Sequence, residues 1–289
     1  MNKSRWIRLT LVCWGMILVF SINLLSARSK TNGELEYREI ERSQYFIHAI
    51  IVPEHSNYSV VPEVSGELQP ISEFAQDNVI AAINGGYFDP INQKTTSFIV
   101  KESRIVADPR FNERLVDNPD LKPYLGKILN RTEFRRYSCG EQTRYDIQLH
   151  FSPIPDNCTL KASLGAGPSL LPQDTSIAEG FVAYQDGAKI RDAIGEESLN
   201  ARSAVGITKY GDVILVMVAQ QSEQPLNSGI SLSELANALA DLGAIKAMNL
   251  DGGSSASLYY DGQAYYGRVD REGNKILRPI ASVLSVMKE

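Results

Sequence analysis

Two short apolar runs end in the same kind of turn, and this feature constrains the fold more than any other. Residues 79–83 lead into an Asn-Gly-Gly turn at 84–86, and residues 244–250 lead into an Asp-Gly-Gly turn at 251–253. Short apolar runs that stop at glycine are typical of buried strands. Adjacent glycines permit a sharp turn and close approach of a ligand to backbone N–H groups, which can bind an anion. A tight turn stabilised only by its own Asn or Asp side chain is the alternative interpretation.

Helical patterns precede both strands. Ser231 and Glu234 have the spacing of a capping box, and the apolar residues after them repeat on one helical face until Gly243. Residues 71–76 indicate a shorter helix. The shared order of helix, strand and glycine turn is either an internal pseudo-repeat or the chance reuse of one common unit. If it is a repeat, we expect the two glycine turns to face one another.

Further apolar runs complete the expected fold. Residues 45–52 are rich in β-branched residues and end at Pro53, which predicts a buried strand, and residues 203–218 predict a hairpin. Residues 108–144 are charged and punctuated by proline, which predicts a surface insertion or long loop. Together these elements predict an α+β fold in which helices pack on a mixed β-sheet, as a single domain over residues 45–289.

The N-terminus has the pattern of a targeting segment. Basic residues precede an apolar run over residues 9–25, which is long for a cleaved signal and short for a bilayer span of about 20 residues. Residues 1–28 are therefore expected to be an export signal or an N-terminal membrane anchor, and the basic residues slightly favour the anchor. The polar residues 29–44 are expected to be a linker. The rest of the chain is expected outside the cytoplasm, anchored to the membrane or secreted after cleavage.

Composition argues against several classes of function. The 289-residue chain has a net charge of -5 and no dense basic block, so nucleic acid is not an expected partner. His48, His55 and His150 show no metal-ligand spacing, and no metal site is expected. The sequence has neither a Gly-Lys-Ser/Thr phosphate loop nor a dinucleotide fingerprint, so no cofactor is expected.

Two of the three cysteines, Cys139 and Cys158, lie in the part of the chain expected to be exported. In an oxidising compartment they can form a structural disulfide that closes a loop of about 20 residues and stabilises the fold by about 3 kcal/mol in the chain-entropy model. A thiol nucleophile is the alternative, since Arg135, Arg136 and Arg144 are near in sequence. We expect the disulfide.

Four segments give the chain a family resemblance. Residues 83–89, 165–168, 201–206 and 249–255 occur in the order found in the phosphodiester glycosidase family, which the chain resembles from about residue 79 to residue 286. The resemblance implies hydrolysis of a sugar-1-phosphate diester at the anomeric carbon. It also implies a sugar-phosphate or glycan substrate as the partner.

The resemblance directs attention to particular residues. Asp251 is expected to act at the anomeric carbon, either as nucleophile or as base for water, because an oxocarbenium-like transition state favours a nearby carboxylate. Arg202 is expected to bind the phosphate through its planar guanidinium group. Asp89 or Glu73 is a candidate second carboxylate, although a phosphate leaving group makes a strong general acid dispensable. The residues expected to contact substrate are Asn84, Gly85, Gly86, Asp89, Gly167, Asn249, Gly252, Gly253 and Ser254.

Two positions depart from the family pattern. Ser254 stands where relatives often have a third glycine, and the segment around Ala219 lacks the acidic residue that many relatives have after this strand. These departures imply a different substrate or a loss of activity. The alternative function is a non-catalytic module that binds glycans or cell-envelope polymers through the same turns. An envelope scaffold, in which the anchor matters most, is a third hypothesis.

Overall fold

The computed structural model describes residues 33–76 and 78–289, which belong to one compact unit. Residues 1–28, predicted as an export signal or membrane anchor, lie outside the described residues. Within the described ranges, no helix combines the length and the apolar composition that crossing a bilayer requires.

Strands dominate the described part of the chain. It contains eighteen strands and three α-helices, and only the third α-helix is longer than four residues. The strands are β1 (Glu36–Glu41), β2 (Tyr45–Val52), β3 (Tyr58–Gln69), β4 (Val79–Asn84), β5 (Ile99–Lys101), β6 (Arg104–Ala107), β7 (Thr132–Cys139), β8 (Gln142–Leu149), β9 (Cys158–Gly165), β10 (Ser169–Leu171), β11 (Val182–Gln185), β12 (Ala188–Asp192), β13 (Arg202–Thr208), β14 (Val213–Gln220), β15 (Ala244–Asn249), β16 (Ser257–Tyr260), β17 (Gln263–Tyr266) and β18 (Ile280–Lys288). The α-helices are α1 (Glu113–Val116), α2 (Leu125–Ile128) and α3 (Leu232–Asp241), and 3-10 helices span Ile71–Phe74, Pro109–Phe111, Lys122–Tyr124 and Gly253–Ser255.

The strands form three large sheets and one separate hairpin. The first sheet has the order β1-β2-β14-β13-β15-β10, the second β17-β16-β4-β18-β3, and the third β6-β5-β9-β7-β8, while β11 pairs with β12. Every pairing between these named strands is antiparallel. The predicted α+β fold with a mixed sheet is therefore wrong, because the fold is mostly β and α3 is the one long helix among the described residues.

The first sheet is covered on both faces, which explains the unbroken apolar sequence of β14. Leu215 and Met217 belong to the core shared with strands of the other two sheets. Ile214 and Val216, on the opposite face, belong to a second core with α3. Every residue of β14 is buried as a result, and the strand pairs with the neighbouring β13.

Several predicted elements are confirmed. The strand at 45–52, the strand before the first glycine turn and the hairpin of β13 and β14 all form. The capping box of α3 forms as predicted: the Glu234 N–H donates to Ser231 Oγ at 3.3 Å, and the Ser231 N–H donates to the Glu234 carboxylate at 2.9 Å. These elements follow local rules of patterning and capping.

Two segments differ from the prediction because polar strands resemble loops in sequence. β1 lies inside the predicted linker of residues 29–44 and pairs with β2 at the edge of the first sheet. β7 and part of β8 lie inside the predicted insertion of residues 108–144. In β7 the charges are internal, since Arg135 and Glu133 form a fully buried ion pair at 3.0 Å. Because these two charged residues pair inside the core, the sequence of β7 has the charged character of a surface loop although most of the strand is buried.

The predicted disulfide between Cys139 and Cys158 is present. The two residues lie directly opposite one another on β7 and β9. The bond therefore fastens the end of one strand of the third sheet to the start of its neighbour.

Candidate active site

Antiparallel pairing brings the two glycine turns into contact. β13 runs antiparallel to β15, so the start of β13 lies beside the end of β15, and the Leu250 N–H donates to the Ser203 carbonyl at 2.8 Å. The N–H of Asp251 donates to the Gly85 carbonyl at 3.0 Å. This bond joins the turn after β15 of the first sheet to the turn after β4 of the second sheet. The site is thus built where two sheets meet.

Asn84 is the buried connector of this junction. Its Nδ2 donates to the Asp251 carbonyl at 2.5 Å, and its Oδ1 accepts from Ser203 Oγ at 2.6 Å and from the Ser257 N–H at 3.0 Å. The side chain is 1% exposed. Its hydrogen bonds hold the backbone of the turn, rather than facing a ligand.

Asp251 lies at the junction with part of its surface open to solvent. Burial among protein atoms raises the pKa of its carboxyl group to about 6, while a hydrogen bond from Ser255, the charge of Arg278 and the Gly252 N–H act in the opposite direction. The carboxyl group is therefore mostly ionised at neutral pH and exchanges its proton near pH 6. A carboxylate of this kind suits a base or a nucleophile.

The guanidinium of Arg202 is directed at backbone carbonyls. Nε donates to Ile230 at 3.2 Å, Nη1 to Ile194 at 2.9 Å, and Nη2 to Gly195 at 2.6 Å and Ser198 at 3.0 Å. The residue is 2% exposed, and burial lowers the pKa of its guanidinium. Four of its five N–H donors are engaged by the chain itself, which leaves little capacity for the expected grip on a phosphate.

Asn249 and Tyr87 form a hydrogen-bond chain beside Asp251. Asn249 Nδ2 donates to Tyr87 Oη at 2.7 Å and to the Leu250 carbonyl at 2.6 Å, and Tyr87 Oη donates to the Gly167 carbonyl at 2.9 Å. Burial raises the pKa of Tyr87, so its hydroxyl stays protonated at neutral pH. Oδ1 of Asn249 is buried and has no hydrogen-bond partner among the described residues. A donor on a ligand would relieve that cost of about 1–3 kcal/mol.

Two of the predicted contact glycines are required by close packing. A Cβ atom on Gly86 would overlap the carbonyl oxygen of Gly165. Gly167 adopts a φ of +82°, and a Cβ there would overlap the carboxylate of Glu179. These positions exclude larger side chains for structural reasons, independent of any ligand.

Ser254 holds a cation at the second glycine turn. Its Oγ accepts a hydrogen bond from Arg278 Nη1 at 2.9 Å, and the guanidinium lies 5.2 Å from the ring centroid of Phe88. The N–H of Gly253 donates to the Ala201 carbonyl at 2.8 Å, which fixes the turn. Ser254 thus positions an arginine whose charge acts on the Asp251 carboxyl group.

The candidate second carboxylates make contacts of their own. Asp89 accepts from the Ile91 N–H at 2.7 Å and from Arg114 Nε at 2.8 Å, and so organises its own loop. Glu73 is exposed on the 3-10 helix before β4. Within the described residues, neither carboxylate hydrogen-bonds to the 249–255 segment. Among the described residues, Asp251 is therefore the one predicted carboxylate that interacts with the 249–255 turn.

Sequence reasoning missed Arg278, which binds Ser254, as well as Arg131, which lies 5.9 Å from the Tyr87 ring centroid, and Glu179, which adjoins Gly167. It also left Tyr87 without a role. Tyr87 stands inside the first glycine segment, so its position was visible in the sequence. The other three lie outside the four segments and reach the site only through the pairing of distant strands. No local pattern marks them.

The site is distinct from a groove that lies elsewhere on the described surface. That groove, of about 440 Å³, is lined by Glu63, Lys101, Arg136, Lys161 and Met287 among others. None of the residues predicted for the site lines it. The Asp251 junction is therefore identified as the candidate site by its chemical features and not by the shape of the surface.

Comparison with known proteins identifies the family. The model of the phosphodiester glycosidase family matches residues 77–287, which is more than half of the chain. The chain belongs to the phosphodiester glycosidase family. A comparison of this family member with curated protein sequences finds no match.

Three solved structures share the fold of this phosphodiester glycosidase family member. The catalytic domain of zebrafish N-acetylglucosamine-1-phosphodiester alpha-N-acetylglucosaminidase has 18% identity and a TM-score of 0.61, covering 89% of this chain and 83% of its own. A Burkholderia pseudomallei protein described as exported has 14% identity and a TM-score of 0.62, covering 84% and 74%. A hypothetical protein from Synechocystis has 18% identity and a TM-score of 0.56, covering 88% of this chain but only 62% of its own length.

Neutral side chains stand at the end of β14, where the resemblance to the phosphodiester glycosidase family leads us to expect an acidic residue. Gln220 Nε2 donates to the Ser228 carbonyl at 2.8 Å, and its Oε1 accepts from the Val269 N–H at 3.3 Å. Its neighbour Ala219 is buried in the core. A neutral amide at this position thus joins two loops.

Proposed function

We propose that this protein hydrolyses a sugar-1-phosphate diester at the anomeric carbon, with Asp251 as the reacting carboxylate. The observation that carries the proposal is a carboxyl group with a pKa near 6, partly open to solvent, at the contact of two glycine turns. Membership of the phosphodiester glycosidase family supports the reaction class. The zebrafish relative's name supports a sugar-1-phosphodiester as the substrate class.

The reaction breaks the bond between the anomeric carbon and the phosphate oxygen. The phosphate monoester leaves with the bonding electron pair, and water supplies the new hydroxyl group. Asp251 either takes the proton from that water or first bonds to the anomeric carbon, forming an ester that water then hydrolyses. Phosphate leaves as a stable anion, so one carboxylate is sufficient in this proposal and neither Asp89 nor Glu73 is needed.

Asn249 provides the proposed contact with the sugar. Its buried Oδ1 has no partner among the described residues and lies two positions before Asp251 in the chain. A sugar hydroxyl that donates to this oxygen would satisfy it and would orient the ring. The remaining substrate contacts that we propose come from the turn residues Gly85, Gly86, Gly252, Gly253 and Ser254.

Arg202 is proposed as a positioning residue. Its four hydrogen bonds to carbonyls hold the 194–198 loop and Ile230 against the start of β13. A Cβ atom on Gly252 would lie 3.7 Å from Arg202 Cδ, so the two residues adjoin. Loss of the guanidinium would therefore displace the turn that carries Asp251.

We place the domain outside the cytoplasm. The proposal is supported by the N-terminal sequence pattern, by the disulfide, which persists in oxidising compartments, and by the likeness to a Burkholderia pseudomallei protein described as exported. A reporter that is active only outside the cytoplasm, fused after Glu289, tests it. An inactive reporter on a stably expressed fusion would contradict this location.

Turnover of a panel of sugar-1-phosphodiesters by the purified full chain tests the function. We expect free sugar from the parent protein and a fall in kcat of about 10²-fold or more for Asp251→Asn. Arg202→Lys should lower kcat together with the melting temperature, since an amine cannot reach four carbonyls in fork geometry. Asp261→Asn, in an exposed turn, is the matched control and should retain parent activity.

The rival function makes a different prediction in the same assay. A non-catalytic glycan-binding module would bind members of the panel without releasing sugar. Binding without turnover across the panel, or undiminished turnover by Asp251→Asn, would refute the proposed hydrolase.

A further inference from the structure

Two arginines near the site share an unusual arrangement. Arg131 lies immediately before β7 and is 7% exposed, and its Nε donates to the Glu179 carbonyl at 3.4 Å. Arg191 lies on β12, half-buried, and its Nε donates to the Gly180 carbonyl at 2.8 Å. Consecutive carbonyls of one loop thus hold both guanidinium groups. We call these two residues the arginine pair.

Aromatic rings fix the orientation of the arginine pair. The Arg131 guanidinium carbon lies 3.7 Å from the ring centroid of Phe181, and that of Arg191 lies 4.7 Å from the centroid of Tyr124. Among the described residues, neither arginine forms an ion pair, and their Nη1 and Nη2 atoms have no hydrogen-bond partner. Both forks are therefore held at Nε and over the ring face, with their terminal donors unused.

The carboxylate of Glu179, whose charge acts on Arg131, already accepts hydrogen bonds from other groups. Glu179 accepts hydrogen bonds from the Thr132 N–H at 2.8 Å, Thr132 Oγ1 at 2.6 Å and the Ser169 N–H at 3.0 Å, and also from Thr175 Oγ1. Its charge favours the charged form of Arg131, but burial prevails and lowers the pKa of that guanidinium to about 10, with Arg191 adding repulsion. A buried cation in this state is stabilised by an incoming anion.

Tyr87 connects the arginine pair to the proposed catalytic turn. The Arg131 guanidinium lies 5.9 Å from the centroid of the Tyr87 ring, whose hydroxyl accepts from Asn249. Charges on Asp251 and Arg131 both act on the Tyr87 hydroxyl. An anion bound to the arginine pair would thus lie close to the Tyr87 ring. The carboxylate of Asp251 acts on the hydroxyl group of the same Tyr87 side chain.

We propose that the arginine pair binds a phosphate group of the substrate beside the Asp251 turn. Planar guanidinium forks match the oxygens of a phosphate in a bidentate manner, and two of them favour a phosphodiester over a neutral glycoside. Lys127 adds positive charge nearby, since its side chain packs over Gly180. The identity of the ligand rests on the proposed function, whereas the location of its binding site rests on the geometry of the arginine pair.

The test measures binding of inorganic phosphate to the full chain by calorimetry, at constant ionic strength set with chloride. Thermal unfolding in the same buffers gives a second readout, because a ligand that binds the folded state raises the melting temperature. We expect saturable binding to the parent protein. Arg191→Ala should weaken it about tenfold or more, and Arg191→Lys should restore only part of the affinity. Arg271→Ala removes an exposed arginine elsewhere and should bind as the parent does.

Arg131→Lys extends the test to the buried member of the arginine pair. Its melting temperature without phosphate reports whether the variant folds, and a folded variant should also bind phosphate more weakly. Absence of saturable binding to the parent, or equal affinity in Arg191→Ala and the parent, would overturn the anion site. Turnover of a sugar-1-phosphodiester without phosphate binding would leave the hydrolase standing and remove this inference. Phosphate binding without turnover of any sugar-1-phosphodiester would support the anion site and refute the hydrolase.

Discussion

Asp251 acquires its properties from its immediate surroundings. The residue is embedded in protein atoms yet keeps a solvent-exposed surface, and Ser255 and Arg278 limit the rise in its pKa. Arg202 and Arg131, although also buried, differ in what their terminal nitrogens contact: backbone carbonyls for the first and no described acceptor for the second. The same residue type is thus a structural clamp at Arg202 and a proposed ligand site at Arg131.

A pH profile tests the state of Asp251. Because the proposed role requires the ionised form and the pKa is about 6, kcat/KM should rise as the pH increases through 6 and level off above 7. The Arg278 charge lowers this pKa, so Arg278→Ala should shift the rise to higher pH. Arg278→Lys keeps the charge and should shift it less. A profile that is the same in all three proteins would contradict the assigned contact.

At the scale of elements, local sequence rules and long-range pairing contribute differently. The α3 helix begins at its capping box because Ser231 and Glu234 are close in sequence and satisfy each other's backbone donors. β7 forms for another reason: it pairs with β8 and β9 on its two sides, and its buried charges neutralise each other. An element of the first kind can be predicted from the sequence, whereas an element of the second kind cannot.

The disulfide gives a prediction at this scale. Replacing Cys139 and Cys158 together by serine should lower the free energy of unfolding by about 3 kcal/mol, because the unfolded chain regains the entropy of a loop with a sequence separation of 19 residues. Urea unfolding of the parent and the variant measures the difference. Adding reductant should bring the parent to the stability of the variant and leave the variant unchanged. Equal stabilities without reductant would show that the bond contributes nothing.

At the scale of the whole molecule, the junction of the first two sheets determines the site. Each sheet contributes one glycine turn, and Asn84 joins them by hydrogen bonds to Ser203 and to the carbonyl of Asp251. We therefore expect the stability of the fold and the proposed activity to be coupled at this contact. The proposed catalytic carboxylate is held in place by buried groups that hydrogen-bond to one another.

Asn84→Ala tests that coupling. It removes three hydrogen bonds and leaves their buried partners unsatisfied, so the free energy of unfolding should fall by about 3 kcal/mol or more. Chemical denaturation measures the loss, and kcat should fall in the protein that remains folded. Asn57→Ala, at an exposed position, serves as the control and should change neither quantity. A stable variant with unchanged kcat would mean that the junction does not position Asp251.

The sequence alone determined the glycine turns, the apolar strands that lead into them, the capped helix, the cysteine pair and the family. These features depend on residues close together in the chain or on motifs in a fixed order. Only the tertiary structure decided that polar segments join antiparallel sheets and that Arg202 faces carbonyls. It also decided that Arg278 acts on the Asp251 carboxyl group and that Arg131 lies beside Tyr87 and Arg191. Hydrogen-bond partners and burial depend on strands that are far apart in sequence, so no local pattern encodes them.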